Sequence, residues 1–230
     1  MQPTLNPRVK ICCIASVEEA QMAVRHGASA VGLVSAMPSG PGVIEEAMIA
    51  HVAHALPPGV ASFLLTSLQD AGAIIAQQRR CRTSTIQLCD HLTRGAYADL
   101  RTALPGVSLV QVVHVTGKAS LDEAAEVAPY VDALLLDSGN PALAVKELGG
   151  TGRRHDWAVS ARIREIVDVP VWLAGGLRPD NVREAVETVG PFGLDVCSGV
   201  RTNGRLDEEK LAALFAALEV GPRSAEIVPA

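Results

Sequence analysis

The chain has 230 residues, of which 48% are hydrophobic and 20% charged, with a net charge of −5 and a mean hydropathy of +0.24. This is enough apolar material for one large core and excludes a disordered chain. An acidic balance, the absence of a long Lys/Arg run and an aromatic content of 3% argue against nucleic acid as a partner, because phosphate backbones need a basic face and single strands need stacking platforms.

The predicted elements alternate strand and helix from end to end. Val9-Lys10-Ile11-Cys12-Cys13-Ile14 reads as the first strand. Ser16 caps the helix that follows, with Glu18 and Glu19 in its first turn and Gly27 at its end. Residues 30–34 form strand two, and the Pro/Gly-rich loop 37–42 leads to a helix over 45–56. Strand three, 61–65, precedes a helix over 70–80. Strand four, 85–88, precedes a helix near 95–104. Strand five covers 108–115, with a helix at 121–128, and strand six covers 131–136, ending at Asp137. A long glycine-rich loop then reaches a helix over 157–167. Strand seven is 170–174, with its helix starting at Pro179. Strand eight is 193–197, and the last helix covers 208–219.

These short strands show little in-out alternation, as expected for parallel strands covered on both faces. Eight right-handed strand–helix units in so short a chain close into a barrel. The predicted fold is therefore α/β, a (β/α)8 TIM barrel forming a single domain over 1–220, with 221–230 a poorly ordered tail. The rival, an open doubly wound sheet, would carry a Gly-x-Gly-x-x-Gly turn after strand one. That turn here reads Cys12-Cys13-Ile14-Ala15-Ser16.

The five cysteines, at 12, 13, 81, 89 and 197, are odd in number and lack a CxxC pair. Neither a disulfide framework nor a metal site is expected. Reduced thiols and an N-terminus unlike a signal peptide point to a cytoplasmic protein, and no apolar stretch calls for a membrane. Monomer and homodimer are equally compatible with the sequence.

In a barrel the chemistry lies on the loops at the carboxyl ends of the strands. Three glycine clusters meet there: Gly149-Gly150-Thr151-Gly152, Gly175-Gly176 and Ser198-Gly199. Bare glycines let backbone amides approach an anion, and the loops after strands seven and eight are the usual phosphate site of this fold. A small phosphorylated substrate follows. Cys12 and Asp137 end strands one and six and could form an acid–base pair. A thiolate can abstract a carbon-bound proton when a cation or backbone dipoles favour it, and Lys10 alternates onto the same side as Cys12. Asp137 closes the apolar run Leu134-Leu135-Leu136, where a partly desolvated carboxyl can serve as an acid. Taken alone, a core thiol and a loop cap are the simpler readings of the two. Further candidate contacts are Lys10, Gln87, His114, Arg153, Arg154 and Asp195.

At these positions the chain resembles the phosphoribosylanthranilate isomerase family of tryptophan biosynthesis. The resemblance rests on Lys10-Ile11-Cys12, Gln87-Leu88, Leu134-Leu135-Leu136-Asp137, Gly149-Gly150-Thr151-Gly152 with Asp156-Trp157, Leu173-Ala174-Gly175-Gly176-Leu177, Pro179-x-Asn181-Val182 and Asp195-Val196-x-Ser198-Gly199-Val200. These pieces occur in the family's order and span nearly the whole barrel.

The resemblance implies a cofactor-free Amadori rearrangement of an N-phosphoribosyl amine to the 1-deoxyribulose form. Asp137 would be the general acid and Cys12 the general base, and the glycine loops 150–152, 175–176 and 198–199 would hold the phosphate. The chain departs from the family's pattern at three places. Cys13 stands where a glycine usually follows Cys12. Cys89-Asp90 replaces His-Gly after Gln87-Leu88. Loop 36–42 lacks the Arg that pairs with the anthranilate carboxylate, leaving Arg153, Arg154, His114 and Arg201 as candidate replacements. Two alternatives are a paralogue isomerising a different phosphosugar derivative that lacks this carboxylate, and a non-catalytic phosphate-ligand-binding barrel.

Overall fold

Which way each side chain points along short buried strands decides this architecture. The computed structural model describes residues 7–150 and 152–219. Eight parallel strands close a barrel in chain order, with the last paired to the first: β1 Arg8–Ile11, β2 Ala30–Val34, β3 Ala61–Thr66, β4 Thr85–Leu88, β5 Ser108–His114, β6 Ala133–Asp137, β7 Val171–Leu173 and β8 Gly193–Val196. The intervening helices are α1 Val17–Arg25, α2 Glu46–Ala55, α3 Ala71–Cys81, α4 Tyr97–Ala103, α5 Ala119–Val127, α6 Trp157–Ile166 and α7 Val182–Val189, and α8 Glu208–Glu219 follows β8. This is the (β/α)8 barrel that the alternation predicts.

Alternate residues of each strand serve two cores. Ile11, Val31, Leu33, Leu64, Ile86, Leu88, Leu134, Leu136, Leu194 and Val196 face outward and pack under the helices. Ala30, Val34, Phe63, Leu65, Val110, Val112, Ala133, Leu135 and Trp172 fill the interior. The bottom is plugged by edge-on contacts of Trp172 with Phe63 and Phe192. Burying one such aliphatic side chain contributes about 1.5–3 kcal/mol, so this two-sided burial outweighs any local preference. Inward positions near the top are polar instead: Lys10, Gln87, His114, Asp137 and Asp195 are all buried.

Local differences from the sequence reading have identifiable causes. β1 ends at Ile11 rather than Ile14, because Cys13 takes a φ of 61° and breaks the ladder. A short 3-10 turn at Ala128–Tyr130 delays β6 to Ala133. α7 begins at Val182, not Pro179: Asn181 donates to the Gly176 carbonyl and accepts from the Arg178 amide, so residues 178–181 form a turn that props the Gly175-Gly176 loop. A 3-10 turn, Ser198–Val200, and a two-stranded hairpin, β9 Arg201–Thr202 with β10 Arg205–Leu206, lie between β8 and α8. Thr151 and residues 220–230, which include the predicted tail, lie outside the described residues.

Candidate active site

A cleft opens at the carboxyl ends of the strands, with Cys12, Gln87, Asp137 and Asp195 at its base. Its rim carries Gly149, Gly150, Gly152, Gly175, Gly176 and Ser198. Met37, Pro41, Leu148 and Leu177 form an apolar wall. The loops after β2 and β6, strands on opposite sides of the ring, meet over this mouth. The Ser39 hydroxyl donates to the Lys146 carbonyl at 2.7 Å, and Gly150 packs against Pro41.

Cys12 and Lys10 sit side by side because alternation on β1 sends both inward and because residue 32 on β2 is glycine. A Cβ at Gly32 would lie 2.8 Å from Cys12 Sγ and 3.0 Å from Lys10 Cε, so any larger residue would push these side chains out of place. Lys10 is wholly buried. Its ammonium donates to Gln87 Oε1 and to Asp195 Oδ2, each at 2.8 Å, lies 3.9 Å from Cys12 Sγ, and stands over the Phe63 ring. Burial alone would pull the Lys10 pKa down, but the charges of Asp195 and Cys12 outweigh it and hold the ammonium above its ordinary value. Burial pushes the Asp195 carboxyl up, and Lys10 offsets this only in part. The result is a fixed positive charge beside the thiol, anchored from three strands.

Asp137, 7% exposed, ends β6. Its Oδ1 accepts from the Ser138 amide at 2.7 Å and from the Ser138 hydroxyl at 3.4 Å, which fixes the plane of the carboxyl. Its Oδ2 faces Gly149, where a Cβ would approach to 2.8 Å. Cys12 and Asp137 thus open onto one cleft from strands one and six.

The glycine loops pack against one another beside this pair. Gly176 has a φ of 64°, and a Cβ there would meet the Gly152 carbonyl at 2.8 Å, so the two loops can close up only around glycine. Gly152 in turn lies beside Ser198. Such main-chain concavities, next to the short turn that starts at Ser198, are suited to an anion. His155 lies against Gly175, with Nε2 2.7 Å from Ser160 Oγ. Burial holds its pKa below the ordinary value, so it lies against this loop as a neutral ring.

Other candidate contacts lie elsewhere. His114 is buried beneath Gly139 with Nε2 3.1 Å from the Cys89 carbonyl, and it does not line the cleft. Arg153 pairs with Glu147. Arg154 stacks on Trp157 and pairs with Glu184, which turns it outward. Arg201 is held by Glu19 and donates to the Cys12 and Cys13 carbonyls, so it braces the turn after β1 from behind. Each guanidinium is drawn off by a carboxylate that spacing along the sequence could not reveal. Among the described residues that line the cleft there is no Lys, Arg or His. The sequence reading passed over Cys197, which lines the cleft. Counting two residues on from inward-facing Asp195 would have found it.

The architecture is a (β/α)8 barrel with a cleft at the carboxyl ends of its strands. The family model described as N-(5'phosphoribosyl)anthranilate (PRA) isomerase matches residues 9–217. The chain is 35% identical over 206 residues to N-(5'-phosphoribosyl)anthranilate isomerase 2 of Methanosarcina mazei, covering 89% of this chain and 90% of that one. It is 36% identical over 212 residues to N-(5'-phosphoribosyl)anthranilate isomerase of Haloarcula marismortui, covering 90% of this chain and 94% of that one. The crystal structure of phosphoribosyl anthranilate isomerase from Thermus thermophilus superposes with a TM-score of 0.75 at 29% identity, covering 92% of this chain and 98% of that one. A further phosphoribosyl anthranilate isomerase, solved with reduced 1-(o-carboxyphenylamino)-1-deoxyribulose 5-phosphate, superposes with a TM-score of 0.74 at 25% identity, with the same coverage. The chain belongs to the N-(5'-phosphoribosyl)anthranilate isomerase family.

Proposed function

We propose that this protein is a phosphoribosylanthranilate isomerase and that Cys12 and Asp137 carry its reaction. The observation behind the roles is that a thiol beside a buried ammonium and a carboxyl held at Oδ1 open onto the same cleft as three glycine loops. The phosphate sits on the amides around Gly152, Gly175-Gly176 and Ser198-Gly199, with Thr151 in the same loop. This places the ribose between the two reactive groups. Asp137 donates a proton to the ring oxygen, and the C1–O bond breaks to leave a Schiff base. The Cys12 thiolate removes the proton from C2, and the enolamine tautomerises to the 1-deoxyribulose ketone. The Lys10 ammonium stabilises negative charge on Cys12 Sγ at 3.9 Å, while Gln87 and Asp195 keep it there. General acid–base catalysis of this kind contributes roughly 100- to 10,000-fold per group.

The steps require no cofactor or metal, and small phosphorylated substrate is the partner. Among the described residues no helix is long and apolar enough to cross a membrane. The test is genetic: expression in a strain lacking this isomerase should restore growth without tryptophan. A well-expressed, folded protein that fails to restore growth would remove the proposal.

A further inference from the structure

Cys13 and Cys197 stand at the cleft with their Sγ atoms 3.0 Å apart. They come from neighbouring strands: β1 and β8 pair through Ile11 and Val196, and the Cys12 amide donates to the Val196 carbonyl at 2.8 Å. The two cysteines therefore follow the last rungs of one ladder, where backbones lie about 5 Å apart, within the span a disulfide bridges. Cys13 adopts the left-handed backbone region that favours glycine. While the Cys12 thiol meets Lys10, the Cys13 thiol lies against Cys197, the Pro41 carbonyl at 3.5 Å and Gly42. Neither Cys13 nor Cys197 has a task in the rearrangement derived above.

We propose that Cys13 and Cys197 form a reversible disulfide site, closed by a hydroperoxide, and that closing it slows the enzyme. Cys197, the more exposed of the two, reacts first. Its thiolate attacks one peroxide oxygen, the O–O bond breaks, and a sulfenic acid forms as hydroxide or alkoxide leaves. The Cys13 sulfur then attacks the Cys197 sulfur. The S–O bond breaks, and the departing hydroxide takes the Cys13 proton as water. Two electrons pass from the thiol pair to the peroxide.

Electrostatics assign the same order. The hydrogen bond with Cys13 and the charge of Arg201 hold the Cys197 thiol below its ordinary pKa against the effect of burial. The neighbouring Cys12 and Cys197 thiols, followed by burial, push Cys13 up. Both directions favour Cys197 as the nucleophile.

An S–S bond is about 2.05 Å long, so closure draws the sulfurs together by about 1 Å. Cys13 adjoins Cys12, and Cys197 adjoins Ser198 on the anion side. A displacement of this order at positioned groups can cost about 100-fold in rate.

The full chain should be treated with hydrogen peroxide and read by intact mass, then mapped by tandem fragmentation to assign the bonded residues. Wild type should lose two hydrogens, with the bond mapped to Cys13–Cys197, and its kcat/KM should fall at least tenfold and recover with dithiothreitol. Cys12→Ser should still form the bond, while Cys13→Ser and Cys197→Ser should not. A folded wild type that keeps all its thiols, a bond mapped to Cys12, or a complete bond with unchanged kcat/KM would each overturn the proposal. The mass reading does not depend on the substrate, so it stands apart from any failure of the functional assignment.

Discussion

Lys10 Nζ and Asp195 Oδ2 lie 2.8 Å apart at a depth where Lys10 has no contact with solvent and Asp195 has 9% of its surface exposed. A charge in such a place is costly unless it is paired, and this pair also orients the cation that faces Cys12.

Removing one partner should therefore cost far more than removing both. Lys10→Met leaves Asp195 as a buried, unpaired carboxyl and should lower unfolding free energy by about 3–5 kcal/mol. The double variant Lys10→Met/Asp195→Asn should recover more than half of that loss. Urea unfolding of the single and double variants measures both values, and a double variant as unstable as the single one would contradict the pairing.

Glu19 should give the fold part of its acid sensitivity. It accepts from the Ala15 and Leu206 amides and from Arg201, and Arg201 in turn holds the Cys12 and Cys13 carbonyls. Burial works to raise the Glu19 pKa, but these donors outweigh it and hold it below the usual carboxylate value. A depressed native pKa means that the unfolded chain binds more protons. The contribution is therefore present above the unfolded value, about 4.3, and is lost as pH falls through the native one. Glu19→Gln should cost about 1–3 kcal/mol at neutral pH. It should also flatten the fall of stability between about pH 5 and pH 3. Equal slopes for variant and wild type would show that Glu19 has no such role.

The lining of the cleft also bears on the substrate. With no Lys, Arg or His among its described lining residues, an aryl carboxylate gains no ion pair there. Losing a buried, hydrogen-bonded pair typically costs about 2–5 kcal/mol, or roughly 30- to 5,000-fold. Replacing the anthranilate moiety with aniline should here lower kcat/KM by less than about tenfold. Steady-state kinetics on the two substrates decide this, and a drop of several hundredfold would reveal a cation that reaches the carboxylate.

The sequence carried the fold well because barrel strands are set by burial. Runs such as Leu134-Leu135-Leu136 can satisfy both faces only inside a covered sheet. The inward positions of Lys10 and Cys12 followed from alternation, and the glycine loops followed from where this fold binds phosphate. The fate of each arginine was not legible. Arg154 is claimed by Glu184, thirty residues away in sequence, and Arg201 by Glu19, and such long-range pairings appear only after closure. The departure at Cys13 was visible, but its contact with Cys197 was not, because the left-handed backbone at Cys13 departs from the strand alternation that placed Cys12.

In the proposed mechanism Cys12 and Asp137 together move the protons of an Amadori rearrangement. Its most direct test is turnover of N-(5'-phosphoribosyl)anthranilate by purified wild type, Cys12→Ala and Asp137→Asn, each shown to be folded. The wild type should turn over without added cofactor, and each variant should lose at least about 100-fold in kcat. Wild-type activity that survives within a few fold in either variant would contradict it.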